Sequence, residues 1–356
     1  MSGKTNQDTP TTLDHRKNFT LKIEEMPQPS LGKVRALQLA STEGGVFAIL
    51  AIDHRDAMRA MLNHEQPETV PAKRLIDIKL SIVRTIGALA TAILLDPVYS
   101  IGQAIAQYAF PSRTAFISAI EEQGYLGNPN GRQTTLLEGW SIEKAKMLGA
   151  SGVKVLLFYH PQAGEATEKQ EQFVSGLLTE CSRFDIPMFL EPILYSPDPS
   201  LSKDSPAFAA ERPRMMVETV QRLGALKPDV LKVEFPVDCR YEQDETIWHA
   251  ACAQLNEVCP VPWALLSGGD PFELFQKQVM VACQNGSSGF LVGRALWREA
   301  VHLHGNERNA FLLGEATRRW ETLSMIAETY AHPWFERYGA ANIDINEHWY
   351  KDYLTR

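Results

Sequence analysis

No apolar run in this 356-residue chain approaches the ~20 residues needed to span a bilayer, so a membrane protein is not expected. Residues 1–29 are polar and lack the continuous apolar stretch of a secretory signal, which predicts a cytoplasmic protein. Cysteine is scarce. Cys181, Cys239, Cys252, Cys259 and Cys283 form no CxxC pair, and their odd count suits a reduced compartment better than a disulfide framework or a structural zinc. Basic charge is in deficit, with 35 Lys and Arg against 43 Asp and Glu. The resulting −8 disfavours nucleic acid as a partner and leaves any anionic metabolite a purely local cationic pocket. No GxGxxG turn follows the first strand-like run, so an open nucleotide-binding sheet lacks its main signature.

What is present is a globular composition, 44% hydrophobic and 22% charged, which argues against disorder. Eight short apolar runs, most followed by a longer segment of helical periodicity, give the pattern of repeated βα units. They are Val46–Asp53, Thr91–Asp96, Ala115–Ile120, Gly152–Tyr159, Ile186–Tyr195, Asp229–Val237, Val261–Ser267 and Ser288–Gly293. Eight such units predict an α/β fold closed into a (β/α)8 TIM barrel. Helices are expected near Pro71–Ala90, Ile142–Leu148, Glu165–Phe184, Pro206–Leu223, Asp244–Glu257, Pro271–Gln284 and Asn309–Glu328. Residues 1–30 read as a flexible arm and 31–330 as the barrel. Residues 331–356 read as an extension packing on the barrel or on a neighbouring subunit, and its aromatics suggest a homo-oligomer.

Active-site groups in a parallel barrel sit at the C-terminal strand ends, so polar residues that interrupt or close the apolar runs are informative. Asp53 and Asp96 close the first two, Lys154 lies in the fourth, Glu191 in the fifth, and Lys232 and Glu234 in the sixth. Strand alternation puts Lys232 and Glu234 on one face, with Leu231, Val233 and Phe235 towards the covering helices. An amine inside a barrel becomes a nucleophile when desolvation or a nearby cation strips its proton, and Lys154 is a candidate for that cation. The bland alternative is a Lys232–Glu234 ion pair filling the interior. Glu191 is placed to move a proton, or else to pair with Lys154 or Lys232. Asp53 could bind substrate hydroxyls or simply cap a loop.

Two glycine-bearing segments, Leu266-Ser-Gly-Gly-Asp270 and Phe290-Leu-Val-Gly-Arg294, follow the last two strands, where phosphate sites in such barrels are often built. Arg294 offers a fork-shaped phosphate donor, and Arg55 could supply a second cation across the mouth. A metal site would need converging ligands, yet only His54 and His160 of the nine histidines stand at strand ends. No metal and no other cofactor is therefore expected.

At these positions the chain resembles the tagatose 1,6-bisphosphate aldolase family of class I aldolases, which includes sulfofructose phosphate aldolases. The resemblance is carried by Ala51-Ile-Asp-His-Arg55, Gly152-Val-Lys-Val-Leu-Leu-Phe-Tyr159, Phe189-Leu-Glu191, Asp229-Val-Leu-Lys-Val-Glu234, Leu265-Leu-Ser-Gly-Gly269 and Gly289-Phe-Leu-Val-Gly-Arg-Ala-Leu-Trp297. It implies Lys232 as the Schiff-base lysine, Glu191 as the proton-transfer residue, and Asp53 and Lys154 as polar partners. It also implies phosphate contacts from Ser267, Gly268, Gly293 and Arg294. The family commonly has glutamine where His54 stands and an acidic residue where His160-Pro161 stands. The expectation is a metal-independent lyase that cleaves a phosphorylated ketose. The substrate that the resemblance implies is tagatose 1,6-bisphosphate or a related hexulose bisphosphate; an aldolase for a sulfonated ketose phosphate (sulfofructose 1-phosphate), a metal-dependent aldolase, a phosphosugar isomerase and a catalytically silent phosphosugar sensor are the alternatives.

Overall fold

A computed structural model describes residues 29–338 and 345–353. Eight parallel strands close into a barrel in chain order, β8 returning to pair with β1. They are β1 (Phe47–Ala51), β2 (Ala92–Leu95), β3 (Ala115–Ala119), β4 (Gly152–Tyr159), β5 (Met188–Leu194), β6 (Val230–Val233), β7 (Trp263–Leu266) and β8 (Gly289–Val292). The helices are α1 (Leu31–Leu39), α2 (Asp56–Leu62), α3 (Ala72–Ile86), α4 (Ile101–Ala106), α5 (Ile142–Met147), α6 (Glu165–Arg183), α7 (Pro206–Ala225), α8 (Glu245–Val258), α9 (Phe272–Gln284), α10 (Arg294–Trp297), α11 (Gly305–Phe311) and α12 (Thr317–Tyr330). None of the described helices is long and apolar enough to cross a membrane.

Each of the eight apolar runs contains one strand, because parallel strands covered by helices are apolar on both faces. Leu231 and Val233 of β6 join the outer core beneath the helices, while Lys232 between them points inward. The runs overreach at the mouth. β6 ends at Val233 rather than Val237, and Arg212 on α7 takes the Phe235 carbonyl in a 3.0 Å hydrogen bond that a strand neighbour would otherwise make. The last expected helix is two helices, α11 and α12, joined through a wide π-type turn at Leu312–Ala316.

A second, smaller apolar cluster fills the floor of the barrel. Phe47, Ile49, Leu94, Ile117, Phe189, Val230, Ala264 and Leu291 point inward there, and Leu37 and Ala40 from the α1 end join Trp334 and Tyr338 in sealing it. Helix α1 was not anticipated. It is tied to the barrel by Lys33, whose ammonium lies 2.9 Å from the buried carboxylate of Asp229 at the entrance to β6. The chain beyond Ala331 packs on the same floor: the Trp334 amide donates to Gly45 O at 3.0 Å, and its indole N–H to Ser41 Oγ at 3.0 Å. The expected arm, residues 1–30, lies outside the described residues apart from its last two positions, as do parts of the 331–356 extension.

Candidate active site

The mouth holds a cleft of about 290 Å³, lined by residues on or just past every strand except β2. At its base stands Lys154 on β4. Its ammonium lies 2.8 Å from Asp53 just past β1, 2.7 Å from Glu121 just past β3, and 2.8 Å from Glu191 on β5. The other Glu191 oxygen lies 2.7 Å from the Lys232 ammonium on β6. Two amines thus face three carboxylates, all five side chains nearly buried in the cleft wall, which is tolerable only because opposite charges touch throughout. The Lys232–Glu234 ion pair is not formed.

The electrostatics follow from those contacts. Burial alone would raise the Asp53 carboxyl, but the ammonium of Lys154, with lesser help from Lys232 and His54, holds it well below the usual carboxylate range. Burial would likewise strip Lys154, yet Asp53, Glu121 and Glu191 together hold its proton well above the ordinary lysine range. Lys154 is therefore a fixed cation. His54 is pushed down to about 3, mainly by burial and, against the pull of Asp53, by Arg294 and Lys232. It enters the cleft as a neutral ring, set edge-on to Trp297 with centroids 5.1 Å apart.

Beside this cluster the turns after β7 and β8 meet. The Ser267 hydroxyl accepts from the Gly293 amide at 3.2 Å, and the Arg294 guanidinium donates to Gly268 O at 2.9 Å. A side chain at Gly293 would place its Cβ 2.8 Å from the His54 ring and 3.1 Å from Ala51 O, so the backbone comes this close only as glycine. Gly269, at φ +104°, lies where a Cβ would stand 2.9 Å from the Arg294 guanidinium. Ser267, Gly268, Gly293 and Arg294 all line the cleft.

Lys232, Glu191, Asp53, Lys154, Glu234, Ser267, Gly268, Gly293 and Arg294 are thus brought together at one cleft. Arg55 is not among its lining residues, a correction to its assignment as the second phosphate cation. Its guanidinium is buried and turned to Glu121 O at 2.6 Å and to Glu122 at 3.3 Å. Asp96 also turns away, into a buried pair with Lys79 of α3, and accepts from the amides of Val98 and Tyr99. His160 is absent from the lining, its Nδ1 accepting from the Gln162 amide at 3.1 Å. Among the described residues no three His, Cys, Asp or Glu side chains gather as a metal-ligand set.

The sequence reading missed Glu121, Gln123 and Lys203. Glu121 carried the same signal as Asp53, a carboxylate closing an apolar run. Lys203, in the β5–α7 loop, carried none. It reaches the cleft by donating to Glu234 Oε1 at 3.1 Å, an oxygen also 3.4 Å from Arg212. The other Glu234 oxygen accepts from the Leu194 amide at 2.9 Å.

Residues 47–299 match the profile of the DeoC/LacD family aldolases. The chain is 30% identical over 342 residues to a tagatose 1,6-diphosphate aldolase of Listeria monocytogenes, spanning 88% of this chain and 97% of that protein. It is 28% identical over 328 residues to tagatose 1,6-diphosphate aldolase 2 of Streptococcus agalactiae, spanning 86% and 98%. Among solved structures it is similar in fold to an archaeal fructose 1,6-bisphosphate aldolase, with TM-score 0.56 and 17% identity over 83% of this chain and 99% of that one. A fructose-bisphosphate aldolase of Plasmodium falciparum gives TM-score 0.60 and 13% identity over 86% and 98%.

Proposed function

Because the chain belongs to the DeoC/LacD family and is a class I aldolase, we propose that it cleaves a phosphorylated ketose reversibly, with Lys232 as the Schiff-base lysine and Glu191 as the proton carrier. The substrate in this reading is tagatose 1,6-bisphosphate or a related hexulose bisphosphate, and the products are dihydroxyacetone phosphate and glyceraldehyde 3-phosphate. One observation carries the residue assignment: the 2.7 Å contact between Lys232 and Glu191, beside a second lysine that three carboxylates keep charged.

The steps follow from that contact. Glu191 accepts a proton from Lys232, and the freed amine attacks the C2 carbonyl of the ketose. Loss of water leaves a protonated imine. Glu191, having passed its proton on with that water, takes the proton of the C4 hydroxyl while the C3–C4 bond breaks. The electron pair flows to the imine nitrogen, so the electron sink is supplied by the lysine itself. An aldehyde departs, Glu191 returns the proton to C3 of the enamine, and hydrolysis releases dihydroxyacetone phosphate and restores Lys232. Lys154 stays protonated throughout and anchors the substrate hydroxyls together with Asp53. Ser267, Gly268, Gly293 and Arg294 hold the phosphate next to the imine carbon, where two glycine turns and a guanidinium suit a dianion.

Borohydride added with substrate is expected to fix a dihydroxyacetone phosphate fragment on Lys232, read by mass on a Lys232 peptide. Lys232→Met should abolish both the adduct and turnover, and EDTA should leave turnover intact; an adduct on a different lysine would overturn the assignment. Residues 31–330 are the catalytic unit in this reading, with 1–30 an arm and 331–356 an extension. The exposed Trp349 and Tyr350 support self-association, which light scattering would test.

A further inference from the structure

A ketose carrying an anion at each end needs two cationic sites, and the turns after β7 and β8 with Arg294 supply one of them. Among the described residues four cationic side chains line the cleft: Lys154, Lys203, Lys232 and Arg294. Lys154 is held by three carboxylates, Lys232 is the nucleophile, and Arg294 belongs to the turns after β7 and β8. We infer that Lys203 is the specificity-determining cation that binds the oxyanion at the far end of the ketose. The inference rests on the aldolase reading above.

Three features of Lys203 support this role. It approaches from the β5–α7 loop, separated from Arg294 by β6 and β7 in the closed barrel, so the two cations stand on different sides of the mouth. Its side chain is 38% exposed, against 2% for Lys154 and 6% for Lys232, which puts it at the rim where the distal end of a substrate bound through C2 must lie. Its partner is also shared. Glu234 keeps the Arg212 guanidinium and the Leu194 amide when Lys203 lets go, so the ammonium can turn to a substrate anion without stranding a buried carboxylate. Glu234, Arg212 and Lys203 together carry one surplus positive charge, the complement a terminal oxyanion requires. The flexible stem and point charge of lysine suit an anion that arrives and leaves with the aldehyde half.

The experiment compares kcat/KM of the parent enzyme and Lys203→Met for tagatose 1,6-bisphosphate, sulfofructose 1-phosphate and tagatose 1-phosphate, with borohydride adduct formation measured in parallel. The doubly anionic substrates should lose about tenfold or more relative to the monophosphate, the order expected for one charge-assisted contact, and mostly through KM. Lys203→Arg should restore part of the preference. Which doubly anionic substrate is preferred by the parent tells whether the far anion is phosphate or sulfonate. A purely structural role through Glu234 would lower all three substrates in the same proportion, and that result, like an unchanged ratio, overturns the inference while adducts still form at Lys232. If the parent enzyme forms no adduct at Lys232 with any of the three, the aldolase reading itself fails, and the inference with it.

Discussion

The two ends of the barrel bury charge in opposite ways. At the floor, one cation meets one carboxylate: Lys33 and Asp229 stand 2.9 Å apart among Phe47, Phe189, Val230, Trp334 and Tyr338. At the mouth, Lys154 has three carboxylates where one would neutralise it, and the third of them also serves Lys232. Among the described residues the floor carboxylate has no second cation, only the Met188 amide beside Lys33. The mouth cluster is redundant about Lys154, so the proton exchange proposed for Glu191 would not leave Lys154 unpaired. Buried ion pairs are costly to break by removing one partner, so redundancy decides which end tolerates a lost charge.

The contrast can be broken by mutation. Glu191→Gln should lower kcat by ~10²–10⁴-fold, the usual range for a proton-transfer group, while the thermal midpoint falls less than for a floor variant, because Asp53 and Glu121 still hold Lys154 and only Lys232, which lines the cleft, loses its carboxylate. A large loss of stability with little loss of rate would reverse the assignment of the two ends. Lys33→Met should do the opposite, costing about 3 kcal/mol in denaturant melts by stranding Asp229, with kcat per folded molecule unchanged.

Titration sharpens the comparison further. The Asp53 carboxyl, depressed from an ordinary 3.8, contributes stability that is fully present above that value and is lost as pH falls through its folded value. The Asp229 carboxyl is raised by burial, which outweighs Lys33 and the Met188 amide. Its ionised form is disfavoured by folding, so its contribution improves as pH falls through its raised value. Asp53→Asn should therefore flatten the acid limb of the stability curve below pH 3.8, measured by melts in a pH series. Asp229→Asn should not flatten it. The smallest effect concerns His54, neutral above about 3: His54→Gln should leave the shape of the pH–rate profile between about 5 and 9 unaltered, whatever it does to KM.

The strands were legible because parallel strands under helices are apolar on both faces, and the inward lysines and Glu191 stood out as interruptions of that pattern. Period two then oriented Lys232 correctly against Leu231 and Val233. Beyond the last strand residue the pattern says nothing about direction. Asp53 and Asp96 close their runs alike, yet one turns to Lys154 in the cleft and the other to Lys79 on α3. Arg55 was misread for the same reason, since the Glu121 carbonyl that captures it lies 66 residues away in sequence. Lys203 sits in a polar loop with no periodicity, and its partner Glu234 lies 31 residues downstream. Helix α1 escaped notice because its sequence, Leu31-Gly-Lys-Val-Arg-Ala-Leu-Gln-Leu39, has a weak apolar stripe, and its place is fixed by Asp229 and the floor rather than by its own pattern.

The floor plug also sets an order of events during synthesis. Leu37 and Phe47 leave the ribosome early, but Trp334 and Tyr338, which close over them, emerge some 300 residues later. Until then the nascent barrel is open at its base, with the inward apolar residues of the floor wet. A messenger truncated before codon 334 would encode every strand and every residue of the cleft, yet leave the product uncorked.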